Sequence, residues 1–393
     1  MMELVILHGA RTPFGKFGGG LKDVSAVDLG VVATREALKR SQVNPEQVDH
    51  IIMGNVVQSD PTAIYLSRHV GIKSGLRVET PALTVNRLCG SGMQAVINGA
   101  EQLLLGESRI VVAGGAENMS QIPYVLPNAR WGYRMGNSQI TDLMTAALYD
   151  SCANISMAET AENLAEEYAI SRQEQDVFAA RSQELAARAQ QSGRLAKEIV
   201  PVTLNDKKQT LIEHDEHLRP DSTFEKLSAL KPSFKQNGTV TAGNASGIND
   251  GAAAFVVTTD EVAAELGVEP LARIRSWASV GVPPEKMGIG PAPAIRKALQ
   301  QAGLTIPDID LFEVNEAFAA QYLAVEKELG LNRERVNVNG GAIAIGHPLG
   351  ASGARVLLTL MLELSERQAR YGVASLCIGG GQGIAMVIEN GKL

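Results

Sequence analysis

Two hydrophobic patterns alternate along the chain. Short runs rich in Val, Ile and Leu are typical of buried strands, and longer segments with apolar residues at helical spacing are typical of helices packed on a sheet. The runs at residues 83–86 and 311–314 predict strands, whereas the segments at residues 94–105, 158–169 and 172–192 predict helices. Helices that alternate with strands in this way indicate the α/β fold class.

This order of elements occurs twice, at a constant offset of 261 residues. The sequence REAL at residues 35–38 returns as RKAL at residues 296–299, and Asp49, which precedes an apolar strand, returns as Asp310. Each copy reads as a helix, a turn, a buried strand and a glycine-rich turn into a second helix. Such internal similarity predicts two α/β halves with the same arrangement.

The halves differ by a long insertion in the first one. In the second half, the strand at residues 373–378 is separated from the strand that begins at residue 383 only by a glycine turn. The matching strands of the first half, at residues 109–115 and 249–257, lie about 130 residues apart. We therefore expect a first half at residues 1–119 and 249–270, an inserted loop domain at residues 120–248, and a second half at residues 271–393.

Composition narrows the possible functions. The chain has 393 residues, of which 45% are hydrophobic and 20% are charged, and its formal net charge is −7. An acidic balance argues against a general nucleic-acid binder, and no run of 18 apolar residues is present to span a membrane. The amino-terminal sequence shows neither a signal peptide nor a transit peptide, so we expect a cytoplasmic protein that binds neither nucleic acid nor membrane.

The three cysteines are too few and too widely spaced for a disulfide framework or a zinc site, so no metal site is expected. Cys152 has no glycine or histidine beside it and is interpreted as structural. Cys89 differs, because it lies in NRLCGSG between a predicted strand and a predicted helix. A helix start lowers the pKa of a thiol and offers free N–H groups to an oxyanion. Cys89 is therefore a candidate nucleophile, with a buried structural cysteine as the alternative.

Three further residues stand at glycine-rich turns or strand ends. His347 lies in a glycine-dense segment ahead of a helix, and the repeat offset places it opposite Asn86, close to Cys89. Cys377 ends a buried strand before GGGQG, and Asn315 follows another buried strand. Strand ends that meet glycine loops are common ligand sites in such sheets. The alternatives are a histidine satisfied within its turn, an apolar core cysteine and a solvated turn.

Four blocks of the sequence resemble the signature motifs of the thiolase family. They are NRLCGSG around Cys89, NEAF at 315–318, NVNGGAIAIGHPLGASGAR at 337–355 and CIGGGQG at 377–383. They occur in the order and at the spacing of the family, and the segments 10–19 and 242–254 are similar too. The resemblance covers essentially the whole chain. It implies a five-layered αβαβα thiolase-like fold with two duplicated α/β halves and an inserted loop domain.

The resemblance also implies a reaction. A thiolase is an acyltransferase that condenses two acetyl-CoA into acetoacetyl-CoA and CoA, or cleaves a 3-ketoacyl-CoA with CoA. By this resemblance Cys89 carries the acyl group, His347 activates its thiol, and Cys377 is a second acid or base. Asn315 would hold a water that forms one oxyanion hole with His347, and the N–H groups of Cys89 and Gly379 would form the other. CoA is then substrate and product, and no cofactor is implied.

Further residues follow from the same resemblance. The family positions that contact CoA or the acyl group correspond here to Arg219, Phe234, Ser246, Met157 and Phe318. Many short-chain biosynthetic members have His-Met-Gly at the acyl pocket, whereas this chain has SMA at 156–158, which leaves the acyl length and the physiological direction open. The resemblance also implies a homodimer or a homotetramer.

Two other functions compete with this interpretation. A ketoacyl synthase shares the fold and a cysteine nucleophile, but generally places two histidines, or a histidine and an asparagine, beside one cysteine. The Cys377 block and the NEAF motif argue against it. A non-catalytic acyl-CoA-binding scaffold would be expected to lack Cys89, His347 or Cys377, and all three are present.

Overall fold

The computed structural model describes residues 2–393. The strands are β1 (Leu4–Arg11), β2 (Gly15–Lys16), β3 (His50–Gly54), β4 (Ala82–Val85), β5 (Ile110–Asn118), β6 (Tyr124–Val125), β7 (Thr141–Asp142), β8 (Tyr149–Asp150), β9 (Ile155–Ser156), β10 (Val202–Thr203), β11 (Leu211–Ile212), β12 (Asn249–Thr259), β13 (Ala272–Gly281), β14 (Leu311–Val314), β15 (Tyr371–Ile378) and β16 (Gln382–Asn390). The helices are α1 (Ala26–Arg40), α2 (Leu66–Ser74), α3 (Ser91–Leu104), α4 (Leu143–Ala147), α5 (Met157–Glu167), α6 (Arg172–Gln191), α7 (Phe224–Ser228), α8 (Asp260–Leu266), α9 (Pro291–Ala302), α10 (Ala319–Leu329), α11 (Ala342–Ile345) and α12 (Leu349–Arg367).

The helices and strands predicted from the hydrophobic pattern are confirmed. The helical segments correspond to α3, α5 and α6, and the apolar runs to β4 and β14. Both α5 and α6 begin at a capping box, in which Ser156 pairs with Glu159 and Ser171 pairs with Glu174. In each box, the serine side chain accepts from the backbone N–H of the glutamate, and the glutamate side chain accepts from the backbone N–H of the serine. Two backbone donors at the helix start are thereby satisfied, which fixes the first residue of the helix.

The longer strands form one ten-stranded sheet, with the order β14-β15-β16-β13-β1-β12-β5-β3-β4 and with β2 beside β12. The pairs β14–β15, β3–β5 and β3–β4 are parallel, and the other pairs are antiparallel. The strands of the two halves meet where β1 pairs with β13 over three residues, from Leu4 opposite Ile274 to Ile6 opposite Ala272. The halves are thus joined near the middle of this order.

The internal repeat is visible in single hydrogen bonds. A carboxylate oxygen of Asp49 accepts hydrogen bonds from the backbone N–H groups of Arg109 and Ile110, at 2.9 and 3.1 Å. Asp310 accepts hydrogen bonds in the same way from the backbone N–H groups of Arg370 and Tyr371, where β15 begins, at 2.8 and 2.9 Å. An aspartate that holds the start of the neighbouring strand therefore recurs at the offset of 261 residues, as the sequence predicts.

The helices give the fold its five layers. Helices α1 and α2 cover the outer face of the first-half strands, and α9 and α10 pack on the outer face of the second-half strands. Helices α3 and α12 pack against each other between the two halves. Every residue of α12 from Leu349 to Leu364 is buried, as expected for a helix enclosed on all sides. This arrangement is the αβαβα order implied by the family resemblance.

The inserted segment leaves the core at the end of β5 and returns at β12. These two strands are antiparallel neighbours, paired from Asp250 opposite Asn118 to Thr258 opposite Ile110, as the comparison of the halves predicts. Between them lie α4 to α7 and short two-stranded ribbons. Among residues 2–393, no helix combines the length and the apolar character that crossing a bilayer requires.

Candidate active site

Cys89 lies in a tight turn between β4 and α3. The residue before it, Leu88, has a φ of 46°, a left-handed conformation that is uncommon for a residue with a side chain. Ser91 holds the turn, since its hydroxyl accepts from the N–H of Arg87 at 2.8 Å and donates to the carbonyl of Leu88 at 2.6 Å. The turn therefore places the half-buried Cys89 side chain beside the buried residues Met119 and Leu349, at the cost of local backbone strain.

The glycines that follow Cys89 allow the two halves to approach closely. A side chain at Gly90 would come within 2.6 Å of Ile378, which ends β15. A side chain at Gly92 would come within 2.7 Å of the backbone of Ala354 in α12. These contacts place the start of α3 directly against second-half elements, so residues from both halves can share one site.

The Cys89 thiol is less acidic than the sequence suggests. Burial raises its pKa, the backbone N–H groups of Gly379 and of Cys89 itself lower it, the Glu117 carboxylate adds a small rise, and the resulting pKa is about 11. The expectation that the helix start gives a lowered pKa is therefore wrong, because desolvation of the thiolate outweighs the favourable N–H groups. The two N–H groups nevertheless lie beside the Cys89 sulfur, where the oxyanion of an adduct on this thiol would form.

His347 is held by both ends of its segment. The backbone N–H of His347 donates to Asn249 Oδ1 at 2.9 Å, and the ring atom Nδ1 lies 2.6 Å from Ser352 Oγ. Because the Ser352 hydroxyl donates to the carbonyl of Pro348 at 2.8 Å, its oxygen accepts from His347 Nδ1–H. The imidazole then carries its proton on Nδ1 and has a free lone pair on Nε2. Burial, with the positive charge of Arg355, lowers the pKa of His347 to about 3, so the ring is neutral.

Asn315 lies directly behind the histidine. Its backbone N–H donates to Ser375 in β15 at 2.9 Å, and its side-chain Nδ2 lies 3.5 Å from His347 Nδ1. The side chain is fully buried, yet its Oδ1 accepts no hydrogen bond from any of residues 2–393. A buried amide oxygen without a partner marks a position where a further polar group completes the hydrogen bonds.

Cys377 and Gly379 extend from the end of β15. The Cys377 side chain is fully buried and packs with Met287, Ala317, Met157 and Phe318. Burial raises the pKa of its thiol well above the usual value, and the proximity of Cys89 raises it further. The two thiols line the same cavity, and Cys89 lies close enough to raise the pKa of Cys377.

One cavity of about 640 Å³ connects these groups. It is lined by eight of the ten residues selected from the sequence, namely Cys89, His347, Cys377, Arg219, Phe234, Ser246, Met157 and Phe318. The other two do not line the cavity but contact residues that do. Asn315 contacts His347, and the N–H of Gly379 contacts the Cys89 thiol. Within residues 2–393, no three His, Cys, Asp or Glu side chains cluster as metal ligands would.

The residues that the family resemblance assigns to CoA come from the inserted segment and the turn before β12. The backbone N–H of Arg219 donates to Gln183 Oε1 at 2.9 Å. Ser246 is fixed to the NEAF motif, because its N–H donates to the carbonyl of Ala317 at 2.9 Å. Phe234 is about half exposed at 48%, which leaves its ring available for contact with a ligand.

Several residues of the cavity escaped the sequence reasoning. His217 lines it, and burial lowers the pKa of this histidine to about 4. The loop that carries Lys16 and Phe17 also lines the cavity. Glu216 holds this loop, because its carboxylate accepts from the backbone N–H groups of Lys16 and Gly20. Sequence spacing gave no signal for these contacts, since they join segments about 200 residues apart. Cys152, interpreted as structural, is exposed.

Comparison with known proteins supports one family. The model of the thiolase amino-terminal domain matches residues 4–261, and that of the thiolase carboxy-terminal domain matches residues 268–390. The chain is 50% identical to an acetyl-CoA acetyltransferase of Syntrophomonas wolfei over 393 residues, covering 98% of this chain and 99% of that protein. It is 49% identical to the mitochondrial 3-ketoacyl-CoA thiolase of Homo sapiens over 387 residues, covering 98% of each.

The fold agrees with this similarity. The crystal structure of human mitochondrial 3-ketoacyl-CoA thiolase in complex with CoA superposes with a TM-score of 0.96 at 48% identity, covering 99% of this chain and 98% of that one. The crystal structure of the Bacillus anthracis acetyl-CoA acetyltransferase superposes with a TM-score of 0.97, covering 99% of each chain. The two domain models together span nearly all of the sequence, and the chain belongs to the thiolase family.

Proposed function

We propose that this chain catalyses the thiolase reaction through an acyl thioester on Cys89. In one direction, two acetyl-CoA condense to acetoacetyl-CoA and CoA. In the other, CoA cleaves a 3-ketoacyl-CoA. The observation that carries the proposal is the single cavity in which two thiols and a neutral, oriented imidazole meet.

The first half-reaction transfers the acyl group to the protein. His347 Nε2 takes the proton of the Cys89 thiol as the sulfur attacks the thioester carbonyl carbon. The carbonyl electrons move to its oxygen, which the N–H groups of Cys89 and Gly379 stabilise. As the carbonyl reforms, the bond to the CoA sulfur breaks, and the proton on His347 passes to the departing CoA thiolate. Acyl-Cys89 and free CoA result.

The second half-reaction forms or breaks the carbon–carbon bond. In condensation, the Cys377 thiol gives its proton to His347 Nε2, and the resulting thiolate removes a proton from the methyl group of acetyl-CoA. The enolate oxygen is stabilised by His347 Nε2–H and at Asn315. The enolate carbon attacks the acyl carbon, and the Cys89 thiolate leaves and takes the proton held by His347 Nε2. Thiolysis runs these steps backwards, so that Cys377 returns the proton to the new acetyl group. Two thiols and one imidazole move every proton in this scheme, and no step of it calls for a metal or a redox cofactor.

Substrate contacts follow from the positions around the cavity. We assign Arg219, Phe234 and Ser246 to the CoA moiety, and Met157 and Phe318 to the region near the reacting carbons. On the other side of Cys89 the cavity is lined by Met119, Met144, Ile248 and Leu349. This lining is apolar, and methionine side chains repack readily around ligands of different shape. It supports acceptance of acyl chains longer than acetyl, and thiolysis rates with 3-ketoacyl-CoAs of increasing length test this.

A homodimer or homotetramer is part of the proposal. Strand β4 is the last strand of the sheet, and unpaired strand edges favour pairing with another chain. Leu83 on this strand is 43% exposed and the preceding Val78 is 67% exposed, which supports an apolar contact there. Light scattering at micromolar concentration tests the assembly, and a monomer would contradict it.

Mass spectrometry tests the covalent step. Incubation with acetyl-CoA should add one acetyl group to the peptide that contains Cys89, and Cys89→Ala should lack both the adduct and thiolysis activity. Cys152→Ala is the matched control, because it removes an exposed thiol outside the cavity, and it should be acetylated and active like the parent. Acetylation confined to Cys377, or thiolysis by Cys89→Ala, would refute the proposal.

A further inference from the structure

Glu117 is a buried carboxylate that the proposed mechanism does not use. It lies at the end of β5 with 0% exposure and accepts four hydrogen bonds. Its Oε1 accepts from Asn55 Nδ2 at 3.0 Å and from the N–H of Val57 at 3.1 Å. Its Oε2 accepts from the N–H groups of Val56 at 2.9 Å and Gly350 at 2.8 Å. All four partners are donors and stabilise the ionised form, and although burial raises the carboxyl pKa to about 7, Glu117 is a carboxylate at about pH 8.

These hydrogen bonds connect the two reactive segments of the site. On one side, Val56 is tied to the Cys89 turn, because its carbonyl accepts from Asn86 Nδ2 at 3.0 Å, and Asn86 Oδ1 accepts from the N–H of Leu88 at 2.9 Å. On the other side, Gly350 belongs to the first turn of α12, three residues after His347. One carboxylate therefore joins the turn that carries the nucleophile to the helix start that follows the base.

The internal repeat shows why an anion fits at this position. The offset of 261 residues makes Gly350 the counterpart of Cys89, and it makes Ile378, beside Gly379, the counterpart of Glu117. At the start of α3, the N–H groups of Cys89 and Gly379 face the reacting thiol. At the start of α12, the corresponding N–H of Gly350 faces the Glu117 carboxylate. The first half thus supplies an internal anion where the second half leaves room for the substrate.

We propose that Glu117 is a positioning residue of the thiolase reaction, which sets the distance between Cys89 and His347 by holding the start of α12 against the Asn55–Val57 turn. This role rests on the proposed function, since it acts on the acylation of Cys89. Glu117 does not touch the reacting atoms. Its loss should therefore slow acylation while leaving the CoA contacts of the inserted segment in place.

The test compares Glu117→Gln with the parent at about pH 8. The amide has nearly the same shape, but its NH₂ group faces donors, so at least one of the four hydrogen bonds is lost. The expected result is single-turnover acetylation of Cys89 slowed ~10-fold to 10²-fold, as for a small misplacement of reacting groups. The KM for CoA in thiolysis should change less than about twofold, because that binding is uniform to ground and transition states.

The control is Glu162→Gln. Glu162 is also buried and accepts from the backbone N–H groups of Thr239 and Val240, but it lies in α5 and contacts neither Cys89 nor His347. It should lose stability like Glu117→Gln and keep the parental acetylation rate at saturating acetyl-CoA. Circular dichroism fixes a temperature at which each variant is folded.

An acetylation rate of folded Glu117→Gln within twofold of the parent would overturn the inference, as would equal slowing in Glu162→Gln. If Glu117→Gln does not fold, Asn55→Ala removes one donor and keeps the carboxylate. It should slow acetylation several-fold, and a parental rate would overturn the inference in that case. A parent enzyme that is not acetylated on Cys89 would instead contradict the proposed function itself.

Discussion

Replacing Cys377 with alanine should separate the two half-reactions. Cys377 is fully buried and packs with Met287 and Ala317, so the loss of one sulfur atom should cost only about 1 kcal/mol of folding free energy. The variant should stay folded and still be acylated on Cys89, since the thiol, His347 and the two N–H groups remain. Loss of a positioned acid or base should lower turnover by about 10²–10⁴-fold.

The assay measures both steps in one sample. Rapid mixing with acetyl-CoA and quenching should show a burst of free CoA, with about one acetyl group per Cys89 by mass spectrometry and little acetoacetyl-CoA afterwards. Cys377→Ser should behave in the same way, because a hydroxyl fills the space but is a far weaker acid than a thiol. Two results would refute the reasoning: a folded Cys377→Ala without acyl-enzyme, or turnover close to that of the parent.

Three further predictions follow from the contacts of single residues. Ser352→Ala removes the acceptor of His347 Nδ1–H. We expect kcat for thiolysis to fall about tenfold, as for a weakened proton transfer, and KM for CoA to stay unchanged. An unchanged kcat would refute the assignment of the proton to Nδ1. Arg11 is fully buried and pairs with Glu198 and Asp215, so Arg11→Met should lower the free energy of unfolding in urea by about 3–5 kcal/mol, whereas a loss below about 1 kcal/mol would show that the network is not stabilising. Burial raises the pKa of Glu117 from 4.5 to about 7, so its contribution to stability is present below about pH 4.5 and is lost as pH rises through 7. Relative to the parent, the free energy of unfolding of Glu117→Gln should therefore rise by up to about 3 kcal/mol between pH 4.5 and 8. A difference between the two proteins that does not change with pH would contradict the raised pKa.

Some features of the site are local, and these the sequence predicts well. The turn that exposes Cys89 is encoded by NRLCGSG, because Asn86 and Ser91 bind the backbone of the same seven residues. The pairing of β5 with β12 follows from the repeat, since the second half contains the same pair without an insertion. The helices α5 and α6 follow from their apolar spacing and their caps.

Other features depend on contacts between distant segments and could not be predicted. Asn249 holds the backbone of His347 across 98 residues, and Glu117 binds Gly350 across 233 residues. No periodicity marks such partners, because each lies in a segment whose local pattern is satisfied by a strand or a turn. The expectation of a lowered pKa for Cys89 is wrong for a related reason. The sequence shows the helix start beside the thiol, but the desolvation that dominates the pKa appears only when both halves close around it.

The ionisation of Cys377 depends on the state of Cys89. Cys89 and Cys377 lie close enough that a negative charge on Cys89 raises the pKa of Cys377, so both thiolates are not formed together. His347 is neutral at rest, so it can take the proton of the Cys89 thiol as the sulfur attacks. Once Cys89 carries an acyl group, it holds no charge, and this barrier to ionising Cys377 is absent. In the proposed mechanism, acylation of Cys89 therefore removes one of the causes that raise the pKa of Cys377, before Cys377 takes a proton from the incoming substrate.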